Sequence, residues 1–324
     1  MGEHSNAGSD ASNAGSDVSE PESAEQEQPG RSITALWVEG ARLRTLPLAV
    51  APVVLGLGAA AYQQSADIFR AALCLVLALC LQIGVNYAND YSDGIRGTDD
   101  VRVGPPRLTA SRRVPPRRVL AVALAFFALA AVVGLLLVFL SGQWWLLAVG
   151  ALALLAAWFY TGGTHPYGYS GWGELVVFLF FGLVAVLGTV YLQAGKLSGV
   201  AVAVAVAQGL FASAVLLINN IRDVDQDSAS GKRTLAVIIG RRPATALYIV
   251  LLAAPYVILV GLAPVLGLAG LLAFASLPLF AVAVALALHP RTSRDYISAL
   301  QLTSVGSLLF SGMLGFGLSI VPYL

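Results

Sequence analysis

Charge is what this 324-residue chain has least of: only 11% of its residues are Asp, Glu, Lys or Arg, against 57% hydrophobic. A soluble protein of this size carries roughly a quarter charged residues, so the soluble globular class is excluded at the outset. Cysteine is almost absent too. Cys74 and Cys80 lie inside one apolar run, which rules out a disulfide framework or a thiolate metal site. Three histidines, His4, His165 and His289, are too scattered for zinc-ligand spacing. The first thirty residues hold no Lys or Arg, so the basic opening of a secretion signal is missing, as is its apolar segment.

What is there in quantity is apolar sequence. Uncharged runs extend over Thr45–Ala66, Ala71–Asn89, Val119–Gly173, Leu175–Gly195, Leu197–Ile221, Pro243–Pro290 and Tyr296–Leu324. A helix crossing the bilayer needs about 20 such residues. The third run breaks at Ser141-Gly142-Gln143 and the sixth near Pro264, so each holds two spans. The expectation is an all-α membrane bundle of about nine transmembrane helices around a central cavity, capped by cytoplasmic loops. Residues 1–30, with seven acids and a doubled Ser-Asn-Ala-Gly-Ser-Asp unit, read as a disordered acidic tail, and residues 31–324 as the membrane domain. Residues 31–44, with Trp37 and three arginines, read as an amphipathic approach to the bilayer. With the N-terminus inside, seventeen of nineteen Lys and Arg fall on the cytoplasmic side, as the positive-inside rule asks.

The acids that remain are concentrated. Of eleven outside the first thirty residues, seven sit in two stretches, Asn86-Tyr-Ala-Asn89-Asp90-Tyr-Ser-Asp93 to Asp100, and Asn219-Asn-Ile-Arg222-Asp223-Val-Asp225-Gln-Asp227. Both close apolar runs, and both then lie at cytoplasmic helix ends. Spacings of three and four place each set on one helix face, where like charges need cations between them. Carboxylate and amide oxygens suit Mg²⁺, which is usually shared with substrate phosphates. Asp90, Asp93, Asp223 and Asp227 are therefore the expected metal ligands for two ions. Asn86 and Asn219, one turn deeper, either ligate and orient substrate or bond to neighbouring helices. Asn89 lies beside the first carboxylate, and Asp225 points away from the face of its neighbours. Arg107, Arg222 and Lys232, close to the carboxylates, are placed to neutralise a diphosphate. A third polar segment, Tyr160 to Glu174, contains no Lys or Arg. It is either an interfacial aromatic belt or a cap over an acceptor, with Tyr160 or His165 touching an aromatic ring. Glu174 opens an apolar helix and favours its N-terminus.

These strings resemble the UbiA superfamily of intramembrane aromatic prenyltransferases. Three in particular are most similar to the 1,4-dihydroxy-2-naphthoate polyprenyltransferases: Asn86-x-x-Asn-Asp-Tyr-x-Asp-x-x-x-Gly-x-Asp99, Tyr160-Thr-Gly-Gly to Tyr169-x-Gly-x-Gly-Glu174, and Asn219-Asn-x-Arg-Asp-x-x-x-Asp227-x-x-x-Gly231-Lys-x-Thr. Where many members carry Asp four residues after Asp93, this chain has Gly97, with Asp99 two further on. The resemblance implies magnesium on Asp90, Asp93, Asp223 and Asp227, Asn86 and Asn219 beside it, and Lys232 on the diphosphate. It implies transfer of a polyprenyl group to dihydroxynaphthoate with loss of carbon dioxide and diphosphate, a step of menaquinone synthesis. The expected partners are polyprenyl diphosphate, 1,4-dihydroxy-2-naphthoate and membrane lipid, not nucleic acid. Rival readings are a related enzyme using another aromatic acceptor such as 4-hydroxybenzoate, and a divalent-cation or anion transporter. A transporter places its sites near the bilayer midplane, whereas these acids lie at helix ends.

Overall fold

The computed structural model describes residues 32–96, 107–164 and 166–324. The acidic tail, Asp99 and His165 lie outside them. In chain order the helices are α1 (Ile33–Gly40), α2 (Pro47–Tyr62), α3 (Ile68–Ile95), α4 (Pro116–Ser141), α5 (Leu146–Phe159), α6 (Gly173–Val177), α7 (Ala185–Ala194), α8 (Gly199–Arg222), α9 (Val224–Ala229), α10 (Leu235–Ile239), α11 (Arg241–Gly261), α12 (Ala263–Leu266), α13 (Leu277–Leu288) and α14 (Ser293–Ile320). A π-helical stretch, Phe178–Val184, welds α6 to α7, and a 3₁₀ stretch, Gly267–Ser276, welds α12 to α13. Among the described residues there are no strands.

Helix ends fall where the sequence interrupts its apolar runs. Gly142, at φ 69°, ends α4 in the left-handed conformation that a side chain resists, and its N–H closes on the Val138 carbonyl. Asp67 caps α3 by accepting the Arg70 N–H at 3.0 Å. Among the described residues, not all of the roughly nine expected spans are found. Seven helices among the described residues are long and apolar enough to cross a membrane, and α1 with α2, bent by 45°, make an eighth. The remaining apolar rod, α5, has 14 residues, short of what the hydrocarbon thickness requires. The uncharged run that contains it is long because its polar segment carries no charge until Glu174.

The bundle is held by close backbone approach and by buried polar pairs, because apolar side chains gain little from leaving lipid for protein. Where α2 crosses α14, a Cβ on Gly58 would stand 2.3 Å from the Gly315 Cα; where the π-helical stretch crosses α8, one on Gly182 would stand 2.4 Å from the Gly209 Cα. Gln208, fully buried on α8, accepts hydrogen bonds from Ser307 and Ser311 of α14. Phe211 of α8 stacks on Phe280 of α13 at 4.8 Å and meets Phe310 of α14 edge-on. Large apolar side chains such as Phe139, Val257 and Leu268 point outward, as lipid-facing positions do.

Candidate active site

The last three turns of α3 carry polar residues that between them fasten three segments: the bend before α2, the segment before α4 and the segment between α5 and α6. Asn86 donates its side-chain N–H to the Ala41 carbonyl at 2.9 Å, in the bend between α1 and α2. Asn89 accepts from the Thr161 hydroxyl at 2.6 Å. Asp90 accepts from the backbone N–H groups of Leu108 and Thr109, one on each carboxylate oxygen, both at 2.9 Å. Asp93 accepts from the Tyr169 hydroxyl. Arg96 donates to the carbonyls of Thr161 and Gly163 and lies over the Tyr169 ring. For Asn86, neighbour bonding is thus observed, through its amide nitrogen.

The second polar stretch reaches the same place from α8. The helix ends at Arg222, Asp223 forms the joint at φ −94° and ψ 6°, and α9 follows. Backbone bonds from Asp223 to Asn219 and from Asp227 to Asp223 keep the α-helical spacing across that joint. Asp223 is gripped through both carboxylate oxygens by Arg222, which also donates to the Asn219 side-chain oxygen at 3.0 Å. Past α9, Gly231 turns the chain at φ 76° and the Lys232 N–H closes on the Asp227 carbonyl. The Lys232 ammonium then lies 3.6 Å from Asp93 and 3.9 Å from Asp227, with the Tyr169 ring 4.5 Å below it. The positive charges of Arg107 and Arg42 also act on Asp93. The two stretches expected to converge do converge, at one end of the bundle.

The segment between α5 and α6 folds under this cluster. Tyr169 presents its carbonyl to the Arg233 N–H at 2.9 Å, and Tyr160 and Tyr167 meet edge-on at 5.6 Å. Burial and the nearby Asp93 charge push the Tyr169 phenol above its ordinary range, so it stays a hydrogen-bond donor. Tyr160 is likewise raised by burial, then by the charge of Glu174. Glu174 is not at a solvated helix start: its side chain is buried and accepts from Asn220 of α8 at 2.8 Å. Asp225 is exposed and paired with Arg241, off the cluster as its spacing implied.

Three contributors escaped the sequence reading. Tyr169 was one aromatic among several, and its 76-residue separation from Asp93 hides the contact. Arg96 stands in the sequence as one of many basic residues on the cytoplasmic side. Arg42 takes φ 53°, and an arginine two residues after Gly40, just ahead of an apolar run, is the available signal.

Among the described residues, no three His, Cys, Asp or Glu side chains form a ready-made metal cage. The donor set is instead two carboxylates bridged by one ammonium, with a third carboxylate held by an arginine. That suits an ion that takes few protein oxygens and completes its shell on a phosphorylated ligand.

Known proteins resemble this chain in sequence, and solved structures resemble it in fold. A 1,4-dihydroxy-2-naphthoate octaprenyltransferase of Mycobacterium tuberculosis is 56% identical over 219 residues, covering 68% of this chain and 75% of that protein. A protein of the same name from Bacillus subtilis is 30% identical over 283 residues, 86% of this chain and 90% of its own. Among solved structures, a UbiA homolog from Aeropyrum pernix K1 superposes with a TM-score of 0.64 at 18% identity, over 86% of this chain and 98% of that one. A UbiA homolog from Archaeoglobus fulgidus, bound to GPP and Mg²⁺, gives 0.59 at 16% identity, over 87% and 99%. Residues 49–313 match the UbiA prenyltransferase family, and the chain belongs to it.

Proposed function

We propose that this protein transfers a polyprenyl group from polyprenyl diphosphate to 1,4-dihydroxy-2-naphthoate. The allylic carbon–oxygen bond to diphosphate breaks, a bond from that carbon to the naphthoate ring forms, and the ring carboxyl leaves as carbon dioxide, giving demethylmenaquinol. The observation that carries this reading is the single ammonium of Lys232 bridging Asp93 and Asp227, carboxylates from stretches over 130 residues apart. Relatives named for the same reaction support the acceptor.

Asp93, Asp223 and Asp227 are the residues that would hold magnesium. The bound ion supplies charge neutralisation to the departing diphosphate. Lys232 and Arg107 meet phosphate oxygens from the protein side, where charge grows as the allylic bond breaks. Tyr169 fixes the Asp93 carboxylate and supports the Lys232 ammonium from below. The surrounding apolar helices keep water from an allylic cation until the ring carbon attacks. The acceptor enters on the Tyr160–Tyr169 side. The distribution of Lys and Arg supports a site that faces the cytoplasm, and the proposed residence is the plasma membrane.

The test uses membranes containing the protein. Diphosphate, carbon dioxide and a prenylated naphthoquinol, identified by mass as its air-oxidised quinone, appear together only when prenyl diphosphate, dihydroxynaphthoate and Mg²⁺ are all present. Equal turnover with 4-hydroxybenzoate in place of the naphthoate overturns the assigned acceptor.

A further inference from the structure

We infer that Asp90 is a positioning residue and not a metal ligand: its carboxylate straps the segment that begins at Arg107 across the end of α3. Asp90 is 0% exposed. Both of its oxygens are engaged at 2.9 Å by consecutive backbone N–H donors, Leu108 and Thr109. A carboxylate closed over in this way admits an ion only if the strap lifts. Asp93, about 60° away around the helix three residues later, turns instead toward Lys232 and Tyr169.

The strap is fitted to α3 along its length. Leu108 is fully buried against Gly40 and Tyr87, and Thr109 sits so tightly on Gly94 that a Cβ there would stand 2.3 Å from the Thr109 Cγ2. The Ser111 hydroxyl closes back on the Leu108 carbonyl at 2.8 Å. What the strap positions is Arg107, immediately before the clamped pair, whose charge acts on Asp93. Asp90 therefore acts on the diphosphate site through Arg107. Sequence spacing cannot separate these roles, because Asp90 and Asp93 are the same residue type in one motif.

The experiment is amide hydrogen exchange in the strap of metal-free protein, with Mn²⁺ alone as the probe of the metal site. In Asp90→Asn, whose amide group faces one N–H with its own N–H, exchange at Leu108 and Thr109 rises about tenfold or more. Mn²⁺ binding stays within about threefold of wild type on the same argument. In Asp93→Asn the strap stays protected and Mn²⁺ binding weakens at least about tenfold. Unchanged strap exchange in Asp90→Asn overturns the inference, as does Mn²⁺ loss equal to that of Asp93→Asn. Should Asp90→Asn not fold, Gly94→Val displaces Thr109 while leaving every carboxylate in place. It is expected to raise strap exchange and the KM for prenyl diphosphate together, and a wild-type value of both overturns the inference. The inference rests on the prenyl-transfer reading only for that KM. Exchange and Mn²⁺ binding are read on the protein alone, so the two fail separately.

Discussion

The Lys232 ammonium lies 3.6 Å from Asp93 and 3.9 Å from Asp227, so one cation joins two stretches of chain that approach from different helices. Removing it in Lys232→Ala leaves two carboxylates facing each other and takes a charged donor from the diphosphate. A hydrogen bond to a charged group is worth about 1.5–3 kcal/mol, so KM for prenyl diphosphate should rise about 10- to 100-fold while KM for the naphthoate changes little. Steady-state kinetics with each substrate varied separately checks this. Equal effects on both substrates would sink the assignment.

Asp93→Asn and Asp227→Asn keep the shape of each side chain and remove its charge. Turnover should fall by about a thousandfold or more, the loss expected when electrostatic stabilisation of a leaving group is removed. The helical circular dichroism and detergent melting temperature should stay near wild type. Activity above a tenth of wild type in either variant would remove that carboxylate from the site.

Tyr169 supplies a pH prediction. Its phenol is raised by burial and by Asp93, so the folded state holds that proton more tightly than the unfolded chain. The resulting stability is fully present below the ordinary tyrosine range near pH 10 and is lost only as pH rises beyond it. Melting temperature in detergent should therefore show no Tyr169-dependent change up to about pH 9. A fall below that pH in wild type that Tyr169→Phe abolishes would contradict it.

The crossing of α2 and α14 predicts a stability effect far from the cluster. Gly58→Val places side-chain atoms on the Gly315 backbone, which no rotamer relieves. Overpacking of this kind costs about 1–3 kcal/mol, read as a lowered melting temperature in detergent. Gly150→Val, at a glycine with open space around it, should leave the melting temperature near wild type.

The long spans were legible because lipid imposes a minimum length of uncharged sequence, and α3, α4, α8 and α11 obey it. The shortness of α5 was not, since Thr161 to Gly173 adds polar residues without adding charge. The bend before α2 was hidden as well, because it depends on the backbone of Arg42. Within the site, Asp93, Asp227 and Lys232 stood out by charge concentrated in an uncharged chain. The partition of labour along α3 did not, because which way Asn89, Asp90 and Arg96 turn depends on loops that return from 18 to 72 residues away. Tyr169 gained its place by that return.

The glycine contact between Gly58 and Gly315 joins the first long rod to the last. α14 is the stave that Gly315 sets against α2 and that Ser307 and Ser311 set against Gln208 of α8, so neither contact forms before α14 has been synthesised. A truncation before α14 removes the closing stave, and with it the wall that Gln208 leans on, rather than trimming a dispensable tail.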